Sequence, residues 1–268
     1  MSKPGLGMAA SLVLTLSSSA VAQWVNVPGK RRTSLDVTTF LSKRRVLGQT
    51  PDLDSVTPRT PDGKPDLSGT WEADKAGFSE DLAAYLRPGE LPIRAWAQAV
   101  TDERNSSQSA GVPTARCLPP GIPLLTSSAV AHPFKIVEVP GLVTILYEYF
   151  GEFRQIFLDG RMVSKDANPT WLGYSTGRWD GDVLVVDTRG FNGKTWLDSA
   201  GHPATEALHV TERFQRLDWG HLEIQLTIDD RLAYTKPWTV TLQMHALTKG
   251  ELLEFVCGEN EKDLRHAR

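Results

Sequence analysis

The chain has 268 residues, 40% hydrophobic and 23% charged, with a formal net charge of -3, which is the composition of an ordinary globular protein and excludes disorder and collagen-like repeats. With 29 Lys and Arg against 32 Asp and Glu, no basic field exists to attract a polyphosphate, so nucleic acid is not expected as a partner. Eight Trp and nine Phe alongside 22 Gly and 17 Pro indicate an aromatic interior cut by many turns, favouring short strands over long helices.

Lys3 is followed by an apolar stretch, Leu6 to Leu16, then by Ser17-Ser18-Ser19 and Ala20-Val21-Ala22 before Gln23. A short apolar run behind a cation, ending in small residues at 20 and 22, reads as a secretory signal peptide over 1–22; it is too short for the roughly 20 residues of a spanning helix. The expectation is a secreted or periplasmic mature chain from residue 23, in an oxidising space where Cys117 and Cys257 form a disulfide; two buried free thiols are the alternative. Residues 23–66 read as an extended basic arm: Lys30-Arg31-Arg32, Lys43-Arg44-Arg45, Arg59 and Lys64 outnumber its five Asp.

Leu67-Ser68-Gly69-Thr70-Trp71-Glu72 reads as the first strand of a single domain over 67–268. Phe78–Leu86 and Pro92–Arg104 read as two short helices, the second begun at Pro92 with Ile93, Trp96, Ala97 and Val100 at near-helical spacing, within a helical insertion at about 75–130. From Phe134 the texture changes to short β-like runs between turn residues. Phe134–Val139 passes through Pro140-Gly141 into Leu142–Tyr149, and Gly151-Glu152 leads into Phe153–Leu158, stopped by Asp159-Gly160. Trp171–Trp179 is joined by Asp180-Gly181, a strong hairpin turn, to Asp182–Thr188. The long segment Arg189–Thr205 precedes a strand Glu206–Arg216. Leu217-Asp218-Trp219-Gly220 turns into His221–Asp229, where Leu222, Ile224, Leu226 and Ile228 alternate with polar residues, and Pro237–His245 and Glu251–Cys257 complete the series. About ten short antiparallel strands leave open edges unless they close, so the expected fold class is all-β, an antiparallel meander closing into a barrel, with a twisted sandwich as the alternative. Such an interior is either filled by side chains or holds one small ligand.

Gly69-Thr70-Trp71 resembles the Gly-X-Trp signature of the lipocalin and calycin group, in which the Trp closes one end of an up-and-down barrel; the resemblance implies a lipocalin-like shape. The second lipocalin signature, Thr-Asp-Tyr, is absent, and the residues between Trp71 and Phe134 interrupt the meander. Over almost its whole mature length the chain also resembles a large family of exported bacterial proteins. The residues carrying this are Pro65-Asp66-Leu67-Ser68-Gly69-Thr70-Trp71, Ala115-Arg116-Cys117-Leu118-Pro119-Pro120-Gly121, Tyr147-Glu148-Tyr149, Phe153-Arg154-Gln155-Ile156-Phe157-Leu158-Asp159-Gly160-Arg161 and Gly173-Tyr174-Ser175-Thr176-Gly177-Arg178-Trp179. That resemblance implies export and bacterial origin and leaves the activity open.

The densest polar segment is Trp196-Leu197-Asp198, Gly201-His202-Pro203, Glu206, His209, Glu212 and Arg213, beginning in a long loop of the kind that presents functional groups at a barrel mouth. With Glu206–Arg216 as a strand, Leu208, Val210, Glu212 and Phe214 share one face, and His209, Thr211, Arg213 and Gln215 the other. Glu212 then enters an apolar surface, where desolvation tunes it toward acid-base work near neutral pH; a structural ion pair with a buried Arg is the alternative. His202, Glu206, His209 and Glu212 would line one stripe of a helix and suit a divalent metal, but the alternation indicates a strand and no HExxH or Cys pair supports it, so no metal is expected. His221, His245 and His266 read as solvated.

Tyr147, Tyr149 and Arg154 form a second cluster. With the turn at 150–153, Tyr149 falls opposite Arg154 and Tyr147 opposite Ile156 on a common face, where phenols and a guanidinium orient a carboxylate, enolate or phenolate, or else simply stack. Tyr174 is expected opposite Asp187. Gly173-Tyr174-Ser175-Thr176-Gly177 has Gly-X-Ser-X-Gly spacing, but a nucleophile elbow turns from strand into helix and here another strand follows, so Ser175 is not expected as a nucleophile. No dinucleotide fingerprint or Walker motif occurs, and no cofactor is expected.

The leading functional expectation is an exported barrel that binds a small, largely apolar or aromatic ligand, with Tyr147, Tyr174, Trp196 and Asp198 in contact with it. The alternative is a cofactor-independent lyase, isomerase, hydratase or hydrolase in the barrel mouth, with Glu212, His209, His202 and Glu206 as acid-base groups and Arg154 and Tyr149 stabilising charge. A third is a module that contacts a membrane surface or the cell envelope through the basic arm.

Overall fold

The computed structural model describes residues 52–74, 81–109, 111–127, 132–164 and 166–258; the expected leader and the two basic triplets of the arm lie outside them. Nine strands close into a barrel in chain order: β1 (Gly69–Ala73), β2 (Phe134–Val139), β3 (Leu142–Tyr147), β4 (Phe153–Phe157), β5 (Tyr174–Asp180), β6 (Val183–Arg189), β7 (His209–Arg216), β8 (His221–Asp229) and β9 (Trp238–Ala246). The all-β barrel expected from the strand pattern is therefore present. Its inward positions alternate with outward ones along every strand, most regularly in β8, where Leu222, Ile224, Leu226 and Ile228 are all fully buried.

The meander is not wholly antiparallel. β4 and β5 run parallel through Ile156↔Ser175 and Phe157↔Thr176, while every other neighbouring pair, including the closing β1–β9 pair, is antiparallel. The cause is arithmetic. An odd number of strands that reverse at every step returns in the same direction it started, so nine strands cannot close antiparallel unless one neighbouring pair is parallel. Parallel neighbours cannot be joined by a tight turn, since the chain has to return the length of a strand, and residues 158–173 supply the connection by running back along the outside of the barrel. The expected tenth strand, Glu251–Cys257, does not form, because β9 already bonds to β1 and leaves no edge.

Two registers also differ from expectation. A turn at Tyr149–Gly151, with Phe150 at φ 63°, lets the Tyr147 N–H donate to the Glu152 carbonyl at 2.8 Å, so Arg154 pairs with Ile145 rather than lying opposite Tyr149, and Tyr147 is not opposite Ile156. The β5–β6 hairpin turns at Gly181-Asp182, so Tyr174 lies opposite Arg189 and Asp187 opposite Thr176. Both slips are by an even number of positions, so the faces expected for Tyr147, Arg154 and Tyr174 are retained.

The lumen is filled by side chains, among them Phe134, Ile145, Phe214 and Leu226. One end is closed by Trp71, fully buried, whose indole N–H donates to the Leu67 carbonyl at 3.0 Å. The Arg216 guanidinium lies 4.9 Å over its ring and donates to the carbonyls of Asp66 and Trp219. At this end the described part of the arm is held by Arg59, ion-paired to Asp182 at 2.6 Å, and by Lys64, which donates to the Gly181 carbonyl.

The opposite end is stoppered by the insertion. Residues 120–127 are buried without interruption and include α2 (Leu124–Ser127). The long helix, α1 (Ala95–Ser106), begins later than Pro92 because Ile93 bridges to Tyr234 and the Arg94 N–H donates to the Ala233 carbonyl. Of the expected helix Phe78–Leu86, the described residues form one 3₁₀ turn, Leu82–Tyr85, capped by the Asp81 carboxylate. The Cys117–Cys257 disulfide is formed, with Cα atoms 5.6 Å apart, and ties the insertion to the segment after β9.

Candidate functional site

Beneath the plug, four adjacent strands carry a polar band on their inner faces. Arg154 of β4, Ser175 of β5, Thr188 of β6 and Glu212 of β7 are all buried. The Arg154 Nε–H donates to Ser175 Oγ at 2.8 Å, and Nη2 donates to Thr188 Oγ1 at 2.6 Å and to Glu212 Oε2 at 2.5 Å. Thr126, from the plug, donates more weakly to Glu212 Oε1 at 3.5 Å. Burial works against the Arg154 charge, but the Glu212 carboxylate and the neighbouring Tyr147 outweigh it and hold the guanidinium proton more firmly than usual. Glu212 thus enters the apolar interior as its alternation requires, and there it is one half of a buried ion pair. Two groups are left over: among the described residues, Tyr147 Oη and Arg154 Nη1 are buried with no hydrogen-bond partner. Burial pushes the Tyr147 phenol above its ordinary value, with Arg154 pulling the other way, so it stays a neutral donor.

The other expected acid-base residues do not join this band. His209 faces outward on β7, its Nε2 2.9 Å from Asp187 Oδ1 and its Nδ1 3.1 Å from Arg189 Nη2. Burial raises the Asp187 carboxyl, but hydrogen bonds from Arg178, His209 and Thr211 hold it below the usual carboxylate range. Glu206 is exposed in the loop before β7. Tyr149 leaves the strand altogether and stacks on His132, with ring centroids 4.7 Å apart, beside Phe150 and Phe255. The stripe His202, Glu206, His209, Glu212 is broken because the chain becomes a strand at His209.

His202 and Asp198 do come together, outside the plugged end. His202 Nδ1 lies 2.7 Å from Asp198 Oδ2, and the same carboxylate accepts the N–H groups of Leu82 and of His202 itself. Burial lowers the His202 proton affinity, but the hydrogen bond and charge of Asp198, with Asp81 nearby, raise it above the usual imidazole value. Trp196 is buried under the Arg104 guanidinium, 4.4 Å from its ring, and Arg104 donates to the Gly201 carbonyl at 2.8 Å. Asp81, Asp198 and His202 offer oxygen and nitrogen atoms within 4.8 Å of one another. In this arrangement those atoms serve one another and backbone N–H groups, pinning the loop to the 3₁₀ turn at Leu82. His221 and His245 are not simply solvated either: each is paired, with Asp218 and Glu72, at 2.8 Å.

The return segment after β4 creates a cavity of about 660 Å³ against the outer faces of β4 and β5. Phe153, Phe157, Met162, Leu172 and Tyr174 give it a mostly apolar wall, and Arg154 and Ser175 also border it. Tyr174 is fixed there because its hydroxyl donates to the Asn168 carbonyl at 2.8 Å. Gly173 is required at the corner of this segment, since at φ 67° an added Cβ would sit 2.8 Å from the Arg189 carbonyl. Of the expected ligand contacts, Tyr174 lines the cavity, Tyr147 lies inside the barrel, and Trp196 and Asp198 lie in the loop outside the plug. Met162 and Ala167 were not anticipated, because residues 161–170 carry no periodic pattern; the signal available was their number, too many for a hairpin. Leu172 falls in the run expected as a strand from Trp171, but the strand begins only at Tyr174. Comparison with protein-family models, curated proteins and solved structures finds no match to this chain.

Proposed function

We propose that this protein binds a small, largely apolar molecule, and that the cavity between β4, β5 and the return segment is where it does so. The observation that carries this reading is a cavity of about 660 Å³ walled mainly by aromatic and aliphatic side chains, within the few hundred to a thousand Å³ typical of small-molecule sites. The lumen, by contrast, is packed with side chains, so the ligand seats beside the barrel wall instead of within it. The rival reading, proton transfer at Glu212, is weaker because Arg154 already engages that carboxylate at 2.5 Å inside the packed interior. Export is part of the proposal: the leader pattern supports it, and so does the Cys117–Cys257 bridge, since disulfides persist in oxidising compartments.

The test uses N-phenyl-1-naphthylamine, an apolar dye that fluoresces when it leaves water. The intact protein should bind it saturably. Ala167 borders the cavity, so Ala167→Trp fills the space and should abolish the signal while leaving thermal unfolding unchanged. Absence of dye binding, or binding undiminished in Ala167→Trp, would remove the proposal's support.

A further inference from the structure

The outer surface of the barrel is divided into two chemically opposite walls. On β7, β8 and β9 every outward position is polar: His209, Thr211, Arg213 and Gln215; His221, Glu223, Gln225, Thr227 and Asp229; Thr239, Thr241, Gln243 and His245. On β2, β3 and β4 the outward positions are Lys135, Val137 and Val139; Leu142, Thr144 and Leu146; Phe153, Gln155 and Phe157. The pairings give two rows, Lys135–Leu146–Phe153 and Val139–Leu142–Phe157, with Val137, Thr144 and Gln155 paired between them, so Val137 links the apolar residues on one side. Phe153 is 62% exposed, Val139 51% and Val137 38%. The apolar residues gathered here, on a barrel whose opposite side is wholly polar, make this face the one suited to a contact.

We infer that the outer face of β2–β3–β4 docks on a lipid bilayer surface, bringing the cavity against the phase that holds its apolar ligand. Three observations select this partner. The patch covers three strands about 4.8 Å apart over roughly five residues of 3.4 Å rise, on the order of 250 Å², about a third of the ~800 Å² per partner of a stable protein interface. That is too little for a second copy but enough for a few side chains to enter the headgroup boundary. Its charge also suits an anionic surface: none of its outward positions is a carboxylate, Lys135 is an exposed cation, and the carboxylates at its margin have cations beside them, Asp159 with Arg161 at 2.6 Å and Asp62, across a hollow from Val139, with Lys64. Finally, Phe153 and Phe157 belong both to the patch and to the cavity wall, so the two surfaces are continuous. The barrel does not span the bilayer, because β7–β9 would then present Glu223 and Asp229 to hydrocarbon, whereas a spanning barrel is apolar all round. Docking stands on the outer faces alone; the bilayer as the ligand's source rests on the small-molecule reading above.

The experiment is flotation of the full chain with vesicles of phosphatidylcholine alone and with one-third phosphatidylglycerol. Association is expected with both and stronger with the anionic vesicles. Leu146→Asp and Val137→Asp, which lie outside the cavity, should each weaken it roughly ten-fold, the effect of withholding one apolar side chain from burial, whereas Thr241→Asp on the polar wall should not. Ala167→Trp should float like the wild-type chain, so loss of dye binding and loss of docking report separately. Failure to float, or equal floating of Leu146→Asp, overturns the inference. So does concentration-dependent sedimentation abolished by Leu146→Asp, which would assign the patch to a second copy.

Discussion

Arg154 remains charged inside an apolar barrel because Glu212, Ser175 and Thr188 take its Nε and Nη2 hydrogens. Removing one partner of a buried ion pair leaves an uncompensated charge, so Glu212→Leu is expected to cost about 3–5 kcal/mol in urea-induced unfolding. Arg154→Met with Glu212→Leu removes both charges and should recover most of that loss. A double variant no more stable than the single one would show that the pair is not the source of the cost. Half of this arrangement is legible in the sequence: alternation along Leu208, Val210, Glu212 and Phe214 sends Glu212 inward. Its partner is less so. The expected pairing puts Arg154 on one face with Tyr147 and Ile156, all three of which are buried, but whether it meets Tyr149 or Glu212 depends on the turn at Phe150 and on strands that are distant in sequence.

Among the elements, the plug is the one the sequence conceals. Its run from Pro120 to Ser127 has neither helical nor strand periodicity, since buried on all sides it has no polar face to reveal a period. It depends instead on one close approach. Gly121 sits at φ 75°, and an added Cβ would lie 2.5 Å from Thr195 Cγ2 and 3.0 Å from the Trp171 carbonyl. Gly121→Ala is therefore expected to lower stability by about 2–4 kcal/mol, the sum of a left-handed backbone penalty and overpacking. Gly89→Ala is the control: φ is 83° but nothing lies within 4 Å, so only the backbone part, roughly 1 kcal/mol, should appear. Equal melting temperatures for the two variants would deny the plug its tight seat. The strands, by contrast, are legible almost throughout, because a wall that is buried on one face has to alternate.

At the scale of the molecule, two of the buried or half-buried titratable groups shift the pH dependence with the same sign. Burial pushes the Glu138 carboxyl from 4.5 up to about 7, against the Leu67 N–H that it accepts, and Asp198 and Asp81 hold His202 above 6.5. Each binds its proton more tightly folded than unfolded. Their contribution is thus complete below the unfolded values and is lost as pH rises through the folded ones. The melting temperature should fall as pH rises from about 5 to 8, and Glu138→Gln should flatten that slope by roughly 1–2 kcal/mol, allowing for the solvent that still reaches the group. A profile unchanged by Glu138→Gln would place the titration elsewhere. Barrel closure itself was legible from the number of short strands, but the parallel pair was not, since direction is fixed only when all the strands are counted. That parity has a consequence for how the protein can vary. The chain from Leu158 to Gly173 has to travel the length of a strand, about 20 Å, which six or seven extended residues would cover; the remainder is slack. The hollow beside the wall is made of that slack, so lineages could redraw its lining freely, whereas shortening the detour to its minimum would erase the hollow and gaining a tenth strand would make it unnecessary.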